Sequence, residues 1–407
     1  MKKKFLLLMY FLSPMLLYAQ GFQVNLQGQQ QQAMGGAGTG AALDAASVFY
    51  NPGAISALEE NSVIVGASMT IANSTYLDKA SGDVSHTESP PSFPFAAYGV
   101  FGKTDSKLRF GMGIYTPFGS TVKWEDEWTG RFVLTRLTLS ATFFQPTVSY
   151  KFSDKFSAGV GFVYGLGMVN LQRDIPVLKS DGTYSSAQLK GTANGFGFNA
   201  GLYFKPTEKL SIGLTYRSQV NMKLNSGDAT FDVPPALATS FPNGNFSAEI
   251  PLPQVLTLGF AVKASEKVTI VADVNYIGWS SYDTLAFDYE NNTPALKDTK
   301  SARMYENAWA FRLGGQFQAN EKLKIRLGAN YEVTPVQDGY LTPEVPDANR
   351  FNITGGLGYK FSDKFNADAS FSFINFMERS DTNKENNMSG TYKTYIFVPG
   401  LSLSYTF

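Results

Sequence analysis

The chain has 407 residues, and its 34 basic and 34 acidic side chains balance. It therefore lacks the basic surplus that nucleic-acid binding requires. It has no cysteine and a single histidine, His86, which excludes disulfide frameworks, thiolate catalysis and a metal site built on several His or Cys ligands. His86 lies in a polar segment that does not suit a Ser-His-Asp site. We therefore predict no enzyme, no metal and no cofactor.

The first 19 residues have the pattern of a secretory signal peptide. Lysines at positions 2 to 4 precede an apolar stretch over 5–17, and Ala19 is the predicted last residue before cleavage. The alternative is a membrane anchor, but the stretch is shorter than the roughly 20 apolar residues of a spanning helix. We expect an exported chain whose mature form starts near Gln20.

Residues 20–60 are polar and rich in glycine, with only scattered apolar side chains. Such a segment cannot form a core alone, so it is either a disordered tail or a plug inside a larger structure. A short helix predicted over 41–50, ended by Asn51 and Pro52, favours the plug.

The same segment contains a possible phosphate-binding loop. Gly36, Gly38 and Ala41 fit the spacing of a dinucleotide-binding loop. Such a loop follows an apolar strand within a β-α-β unit, whereas four glutamines precede this one. The glycines instead predict sharp turns and close packing of the plug against its surroundings.

A short turn recurs along the rest of the chain. It combines a small polar residue, an acid and a lysine, as in KFSDKF from residue 151, and it returns near residues 105, 208, 266, 321 and 363. These residue types favour tight hairpins. Most turns precede about 10 residues that alternate apolar and polar side chains, the pattern of a β-strand long enough to cross a bilayer. The alternation alone does not exclude a soluble sandwich.

The connections between these strands are of two kinds. Six short turns alternate with long polar segments, which lie at 73–91, 117–137, 172–190, 220–252, 280–306, 335–349 and 379–392. These connections give about 14 strands, with the short turns on one side as in outer-membrane barrels. The last strand must pair with the first, over 63–72, to leave no bare edge in lipid. We predict an all-β, transmembrane antiparallel barrel over 61–407 with residues 20–60 as a hatch in its lumen.

The chain resembles the FadL/TodX family of outer-membrane transporters for long-chain fatty acids and aromatic hydrocarbons. The similarity starts with GFQVN and continues through GGAGTGAALDAASVFYNPGAIS, which looks like the family's hatch with its Asn-Pro-Ala motif, although Gly53 replaces the alanine. TPFGSTVKWEDEWTGR is similar to the family's third strand and the following loop. WAFRLGGQFQANEKLKIRLGANYEVTPV and PDANRFNITGGLGYKF resemble later strands.

The resemblance implies a route for a hydrophobic ligand. Outer loops capture the ligand, a pocket in the lumen holds it, and a gap at an interrupted third strand releases it sideways while the hatch blocks a straight aqueous path. We assign the lateral opening to Tyr115, Pro117, Phe118 and Gly119, because proline removes a ladder donor and glycine permits a bulge. An ordinary strand end is the alternative.

The hatch and the lumen supply further candidates. The gate candidates are Gly36, Gly38, Asn51 and Pro52. The candidate substrate-binding residues are Phe22, Arg109, Trp124, Trp128, Arg217, Arg312 and Arg326. The arginines lie on the polar strand faces, where a guanidinium binds a carboxylate well, but they can equally pair with inward acids and the hatch. The tryptophans serve either ligand capture or loop packing.

We therefore predict an outer-membrane transporter for hydrophobic compounds in a Gram-negative bacterium. It acts as a monomer, contacts membrane lipid and lipopolysaccharide, is inserted by the barrel-assembly machinery and binds no nucleic acid. A general diffusion porin and a structural barrel are the alternatives, and a porin would lack a plug before its first strand. The sequence does not distinguish a fatty acid from an aromatic hydrocarbon, since selectivity depends on pocket shape.

Overall fold

The computed structural model describes residues 21–103 and 106–407. The predicted signal peptide and the centre of the predicted turn near residue 105 lie outside these residues. Three short helices come first: α1, Gln29–Ala33; α2, Ser47–Tyr50; and a 3₁₀ helix, Pro52–Ala57. No helix in the described ranges is long and apolar enough to cross a membrane.

Twenty-one β-strands carry most of the described chain, with two further 3₁₀ helices at Pro235–Leu237 and Trp279–Ser281. The strands are β1 Ser62–Ser68, β2 Ile71–Asp78, β3 Val84–His86, β4 Phe95–Phe101, β5 Leu108–Lys123, β6 Arg136–Ser153, β7 Phe156–Leu178, β8 Tyr184–Thr207, β9 Leu210–Arg217, β10 Val220–Asp232, β11 Gly244–Leu252, β12 Val255–Lys263, β13 Val268–Ile277, β14 Thr284–Tyr289, β15 Thr299–Ala302, β16 Ala308–Gln318, β17 Leu323–Glu332, β18 Arg350–Lys360, β19 Phe365–Phe376, β20 Arg379–Thr382 and β21 Ser389–Thr406.

The sheet closes on itself as an antiparallel barrel. β1 pairs with β4 on one side and with β21 on the other. Several strands are halves of one barrel-crossing strand: β1 and β2 both pair with β21, and β9 and β10 both pair with β8. With such halves counted once, the described chain crosses the barrel wall fourteen times. The predicted fold is therefore confirmed.

The alternation along each strand explains the barrel. On β7, Phe156, Val160 and Phe162 are exposed on the outer surface, whereas Ser157 and Val163 are buried on the inner side. Because successive side chains point to opposite faces of a strand, every strand can present apolar groups to lipid and small or polar groups to the lumen.

The strands are longer than the sequence pattern predicts. β7 ends at Leu178 and β8 begins at Tyr184, so only residues 179–183 connect them where a loop over 172–190 was predicted. The first crossing likewise runs to Asp78 instead of ending near residue 72. These strand ends mix polar and apolar residues: on β7, Gln172, Arg173 and Asp174 precede the buried Ile175, so hydropathy does not separate them from loops.

The hatch, residues 21–57, fills the lumen. Its glutamine run forms α1, which was not predicted, and ties the hatch to the barrel: Gln29 Nε2 donates to Ser68 Oγ at 3.1 Å and Gln32 Nε2 donates to Ser372 Oγ at 3.3 Å. The helix predicted over 41–50 forms at Ser47–Tyr50 only.

The hatch backbone lies directly on the barrel wall near Gly35. Gly35 has a left-handed φ of +73°, and a Cβ added there would lie 2.6 Å from the carbonyl oxygen of Ala329 and 2.9 Å from that of Leu313. Both the turn and the close approach therefore require glycine at this position.

Candidate functional site

The barrel wall is interrupted between its second crossing, formed by β3 and β4, and its third crossing, formed by β5. The first crossing consists of β1 and β2. β4 and β5 pair from Phe101 and Phe110 up to Ala96 and Tyr115. Residues 89–94, of sequence SPPSFP, then leave β5 and lie beside the first crossing, where Thr70 and Ser92 exchange backbone hydrogen bonds of 2.8 and 3.1 Å. Three of these six residues are prolines, which have no N–H to donate to a ladder.

Contact between the two crossings resumes at the outer end. The backbone N–H of Glu88 donates to the carbonyl oxygen of Lys123 at 2.7 Å. An opening in the ladder therefore lies between residues 89–94 and residues 117–122, and we call it the wall gap.

β5 changes register at the wall gap. Its pairing with β6 shifts between Tyr115 and Phe118, which marks a β-bulge around Pro117. The four residues predicted for the lateral opening thus stand at the bulge.

The first residues of the hatch occupy the edge of β5 that β4 vacates. Val24 N–H donates to Pro117 O at 2.8 Å, and Gly119 N–H donates to Phe22 O at 3.3 Å. Gln23 forms an antiparallel bridge with Phe118. The hatch therefore contributes a short strand to the side of the wall gap.

An apolar cavity of about 90 Å³ lies inside the barrel above the hatch. Almost all of its wall is hydrocarbon, supplied by inward residues of β5–β8 and β10–β11 and by the outer loops. Representative members are Leu137, Leu171, Met222, Ile250, Leu285 and Tyr305. We call it the inner cavity.

A second cavity of about 310 Å³, the gap cavity, lies between the hatch and the wall gap. Its wall includes Pro90, Phe93 and Gly119. Phe22 and Phe118 line both cavities, and their ring centroids are 6.1 Å apart. These two rings therefore stand at the boundary between the inner cavity and the wall gap.

Two loop residues hold Phe22 in place. Its ring centroid lies 5.0 Å from that of Trp279 and 6.0 Å from that of Tyr282, both edge-to-face. Gly21 N–H donates to Asp347 Oδ2 at 3.2 Å. Burial raises the pKa of the Asp347 carboxyl, while Arg350 lowers it. Sequence reasoning proposed Phe22 but missed these loop partners, since loop residues follow no periodic pattern.

The charged groups of the inner cavity neutralise each other. Arg303 Nη2 lies 3.2 Å from Glu344 Oε1, and the two side chains are only 9% and 14% exposed. Burial lowers the pKa of the Arg303 guanidinium, but Glu344 and the nearby tyrosines outweigh this effect and raise it above its usual value. In the gap cavity, Arg350 Nε donates to Glu332 Oε2 at 2.6 Å. The charged side chains named here, in the walls of both cavities, are therefore paired with each other.

The inward arginines predicted as substrate candidates contact the hatch and its linker. Arg109 Nη2 donates to the carbonyl oxygen of Glu59 at 3.0 Å. Arg217 Nη2 donates to Phe49 O at 2.9 Å, and its guanidinium lies 3.8 Å from the Phe49 ring centroid. These contacts correspond to the alternative of hatch pairing.

Arg312 and Arg326 make the same kind of contact. Arg312 Nη1 donates to Gly36 O at 3.1 Å, and Arg326 Nη2 donates to Gln30 Oε1 at 3.0 Å. Arg312 Nη2 also lies 3.3 Å from Glu332 Oε1, and Arg326 Nη1 lies 2.6 Å from Asp368 Oδ1.

The two candidate tryptophans lie in a buried aromatic cluster. Trp124 and Trp128 stack with a centroid distance of 4.3 Å, and both contact Tyr76 edge-on. Trp128 Nε1 donates to Leu134 O at 2.7 Å. These contacts correspond to loop packing.

The gate candidates lie at the centre of the hatch. Asn51 Nδ2 donates to Thr39 O at 2.9 Å and to Leu202 O at 3.0 Å, and its Oδ1 accepts from Gly53 N–H. Pro52 opens the 3₁₀ helix. Gly36 has a φ of +78°, and Gly38 N–H donates to Asp273 Oδ2 at 3.0 Å.

No group of acidic or histidine side chains within residues 21–103 and 106–407 could hold a metal ion. His86 is exposed on β3, where its Nδ1 lies 3.2 Å from Thr75 Oγ1.

A fourteen-strand barrel with lipid-facing apolar residues, a filled lumen and an opening in its wall defines a transport protein of the outer membrane. The family model described as "Outer membrane protein transport protein (OMPP1/FadL/TodX)" matches residues 13–407, and the chain belongs to this family. It is an outer-membrane protein and not an enzyme.

A sequence relative agrees with this assignment, and solved structures agree with the fold. The long-chain fatty acid transport protein of Escherichia coli O6:H1 is 22% identical over 435 residues, which cover 96% of this chain and 95% of the relative. The crystal structure of a Pseudomonas aeruginosa FadL homologue superposes with a TM-score of 0.84 at 19% identity, covering 95% of this chain and 99% of that chain. The Pseudomonas putida toluene transporter TodX superposes with a TM-score of 0.73 at 17% identity, covering 93% and 98%.

Proposed function

We propose that this barrel carries an uncharged hydrophobic compound from the inner cavity through the wall gap into the membrane, with Phe22 of the hatch as the gate. The observation that carries the proposal is that Phe22 and Phe118 line both cavities beside the interrupted β4–β5 ladder. A ligand that passes between them moves from an apolar chamber to the lipid-facing wall without entering water.

The gate follows from the size of the inner cavity. Its volume is about 90 Å³. An engineered apolar cavity of about 150 Å³ binds benzene in another protein. An aromatic hydrocarbon therefore requires wall residues to move. Phe22 is suited to this because it belongs to a short edge strand held by few backbone bonds, whereas the rest of the hatch is tied to many barrel strands.

The charge balance of the cavities supports a neutral ligand. The E. coli relative is named for long-chain fatty acids and the P. putida structure for toluene. A fatty-acid carboxylate buried in the inner cavity needs a cation, but Arg303 is paired with Glu344. Burying an uncompensated charge costs several kcal/mol. A neutral hydrocarbon has no such cost.

Closing the wall gap tests the route. Gly119 lines the gap cavity and has no left-handed backbone conformation. An added Cβ would lie 3.3 Å from the Leu139 carbonyl oxygen and 4.0 Å from the Cα of Ser140. Gly119 alternates with the inward Phe118, so Gly119→Trp places an indole on the outer face of β5, at the mouth of the wall gap, with limited strain. We expect uptake of labelled toluene by cells to fall close to the rate of cells without the protein.

Gly315→Trp is the matched control. Gly315 lies on β16, away from both cavities, and a Cβ there would be 3.6 Å from its nearest neighbour. This variant should transport toluene like the unaltered protein. Equal uptake by both variants, with both folded in the membrane, would refute the wall gap as the exit.

Liposome swelling separates this proposal from a general porin. Because the hatch fills the lumen, sugars should enter vesicles slowly, and deletion of residues 20–60 should raise both sugar entry and conductance. A sugar flux that is rapid and unaffected by the deletion would favour the porin.

A further inference from the structure

A further cavity, of about 30 Å³, lies in the seam between the hatch and the barrel wall, and we call it the seam cavity. The hatch contributes Thr39, Phe49 and Tyr50 to its lining, and inward residues of β9, β12, β13 and β16 contribute the opposite side. Its wall is mostly polar, unlike that of the inner cavity. A hydrophobic ligand therefore finds no apolar site there.

Two opposite charges line the seam cavity and each holds a different part of the hatch. Asp273 is 2% exposed, and its Oδ2 accepts from the N–H groups of Gly38 and Thr39, both at 3.0 Å. Arg217 Nη2 donates to Phe49 O at 2.9 Å. Among the residues that the structure describes, neither Asp273 nor Arg217 forms a direct ion pair.

The strand register explains why the two charges do not meet. β12 lies between their strands, with Arg217 opposite Val255 and Asp273 opposite Gly259, four residues further along. Between these two positions lies a row of short polar residues that also line the seam cavity, formed by Thr215, Thr257 and Asn275. The cavity therefore occupies the space that separates the carboxylate from the guanidinium.

Several side chains of the lining carry a buried polar atom that has no hydrogen-bond partner within the described residues. Two are N–H donors, three are oxygen acceptors and one is a hydroxyl that can do both. They are Arg217 Nε, Arg312 Nε, Asp273 Oδ1, Asn275 Oδ1, Gln23 Oε1 and Tyr50 OH. Because buried polar groups are nearly always hydrogen-bonded, the cavity requires an occupant that both donates and accepts.

We propose that the seam cavity binds a pair of water molecules that bridge Arg217 to Asp273 and thereby join the hatch to the wall. A buried water requires about 10–15 Å³ of such volume, so the cavity has room for two. An anion would face the Asp273 carboxylate, and a cation would face the guanidinium groups of Arg217 and Arg312. Water meets neither objection, since it accepts from the Nε–H groups and donates to the oxygens.

X-ray footprinting of the folded barrel tests this proposal, because radiolysis of a buried water produces a hydroxyl radical that labels the side chains beside it. Tyr50 is the reporter, since it is 6% exposed and lines the seam cavity. Tyr115 is the reference, because it is fully buried and its hydroxyl donates directly to Gln145 Oε1.

We expect radiolysis in isotope-labelled water to oxidise Tyr50 and not Tyr115, whereas radicals generated in the bulk solvent should label neither. Labelling of Tyr50 no stronger than that of Tyr115 under radiolysis would overturn the proposal. Labelling of Tyr50 by bulk radicals would show a channel open to solvent and would also overturn it.

Thr215 offers a matched pair of variants. Thr215→Val keeps the shape and the β-branching of the side chain, whereas Thr215→Ile adds a methyl group to the lining of the seam cavity. We expect Tyr50 to be labelled as before in the valine variant and to fall to the level of Tyr115 in the isoleucine variant. Equal labelling of Tyr50 in the two folded variants would contradict the seam cavity as the water site.

A high-resolution crystal structure of the unaltered barrel, soaked in bromide or in rubidium, identifies the occupant without any substitution. We expect two peaks that have no anomalous signal and lie about 2.7–3.2 Å from their polar neighbours, with Arg217 Nε and Asp273 Oδ1 among them. An anomalous bromide peak would show an anion site and an anomalous rubidium peak a cation site. Either peak, or a cavity without density, would overturn the proposal.

Discussion

At the scale of single residues, the arginines of the lumen show what a charged side chain contributes to this barrel. Arg109, Arg217, Arg312 and Arg326 are each placed by strand alternation on the inner face, which the sequence predicts. Their partners include backbone carbonyls and a glutamine of the hatch and its linker. Because any residue type carries a carbonyl, no sequence pattern could identify these partners.

Glu344 controls the charge of the inner cavity, and its removal should change ligand preference. Glu344→Gln leaves the Arg303 guanidinium without its carboxylate partner. A fatty-acid carboxylate can then replace Glu344, and a hydrogen bond to a charged group contributes about 1.5–3 kcal/mol. We expect oleate to bind about tenfold more tightly or better, as measured by equilibrium binding of labelled oleate in detergent.

The double variant Arg303→Gln, Glu344→Gln is the control, because it removes both charges and should show no gain. Equal oleate affinity in the single and double variants would contradict the role of this ion pair.

At the scale of elements, the hatch has two parts that differ in how they are held. Residues 28–57 are tied to the barrel by α1, by Asn51 and by the arginines. Residues 21–24 form an edge strand on β5 that rests on aromatic contacts and a few backbone bonds. We infer that the edge strand moves during transport while the remainder stays in place.

Arg217 tests this division. Arg217→Met removes the hydrogen bond to Phe49 O and the cation–π contact. Each is worth on the order of 1–2 kcal/mol or more in a buried setting. Amide hydrogen exchange should therefore accelerate in hatch peptides around Phe49 and remain unchanged in the barrel strands.

Arg173→Gln is the control. It also removes a guanidinium, but from an outer segment of β7 that does not contact Phe49. Exchange that is equally fast at Phe49 in both variants, or unchanged in both, would show that Arg217 does not hold the hatch.

The elements also show how far the sequence alone could lead. Short turns and alternation predict the fourteen crossings, and Pro117 predicts the bulge in β5. The outer strand ends could not be separated from loops, since polar residues such as Arg173 and Asp174 interrupt their apolar pattern. The free edge of β5 could not be predicted either. It arises because residues 89–94 pair with β1 and β2 instead of β5, and the strand around Phe22 takes their place beside β5.

At the scale of the whole molecule, the barrel has an apolar chamber that leads to its side, while its periplasmic mouth is polar. The vestibule below the hatch measures about 1310 Å³ and is lined largely by charged residues such as Asp44, Lys151 and Arg326. A hydrophobic ligand gains nothing by entering it. The inner cavity and the gap cavity instead lead past the apolar Phe22–Phe118 boundary to the wall.

Photolabelling with an apolar diazirine analogue of toluene, in vesicles that contain the intact barrel, tests this route most directly. We expect adducts on Leu137 or Met222 in the inner cavity and on Phe93 at the wall gap, with adducts at Phe93 reduced in the Gly119→Trp variant. Adducts concentrated on Ser211 and Ala261, which line the vestibule below the hatch, would show that the ligand leaves through the periplasmic mouth and would contradict lateral release.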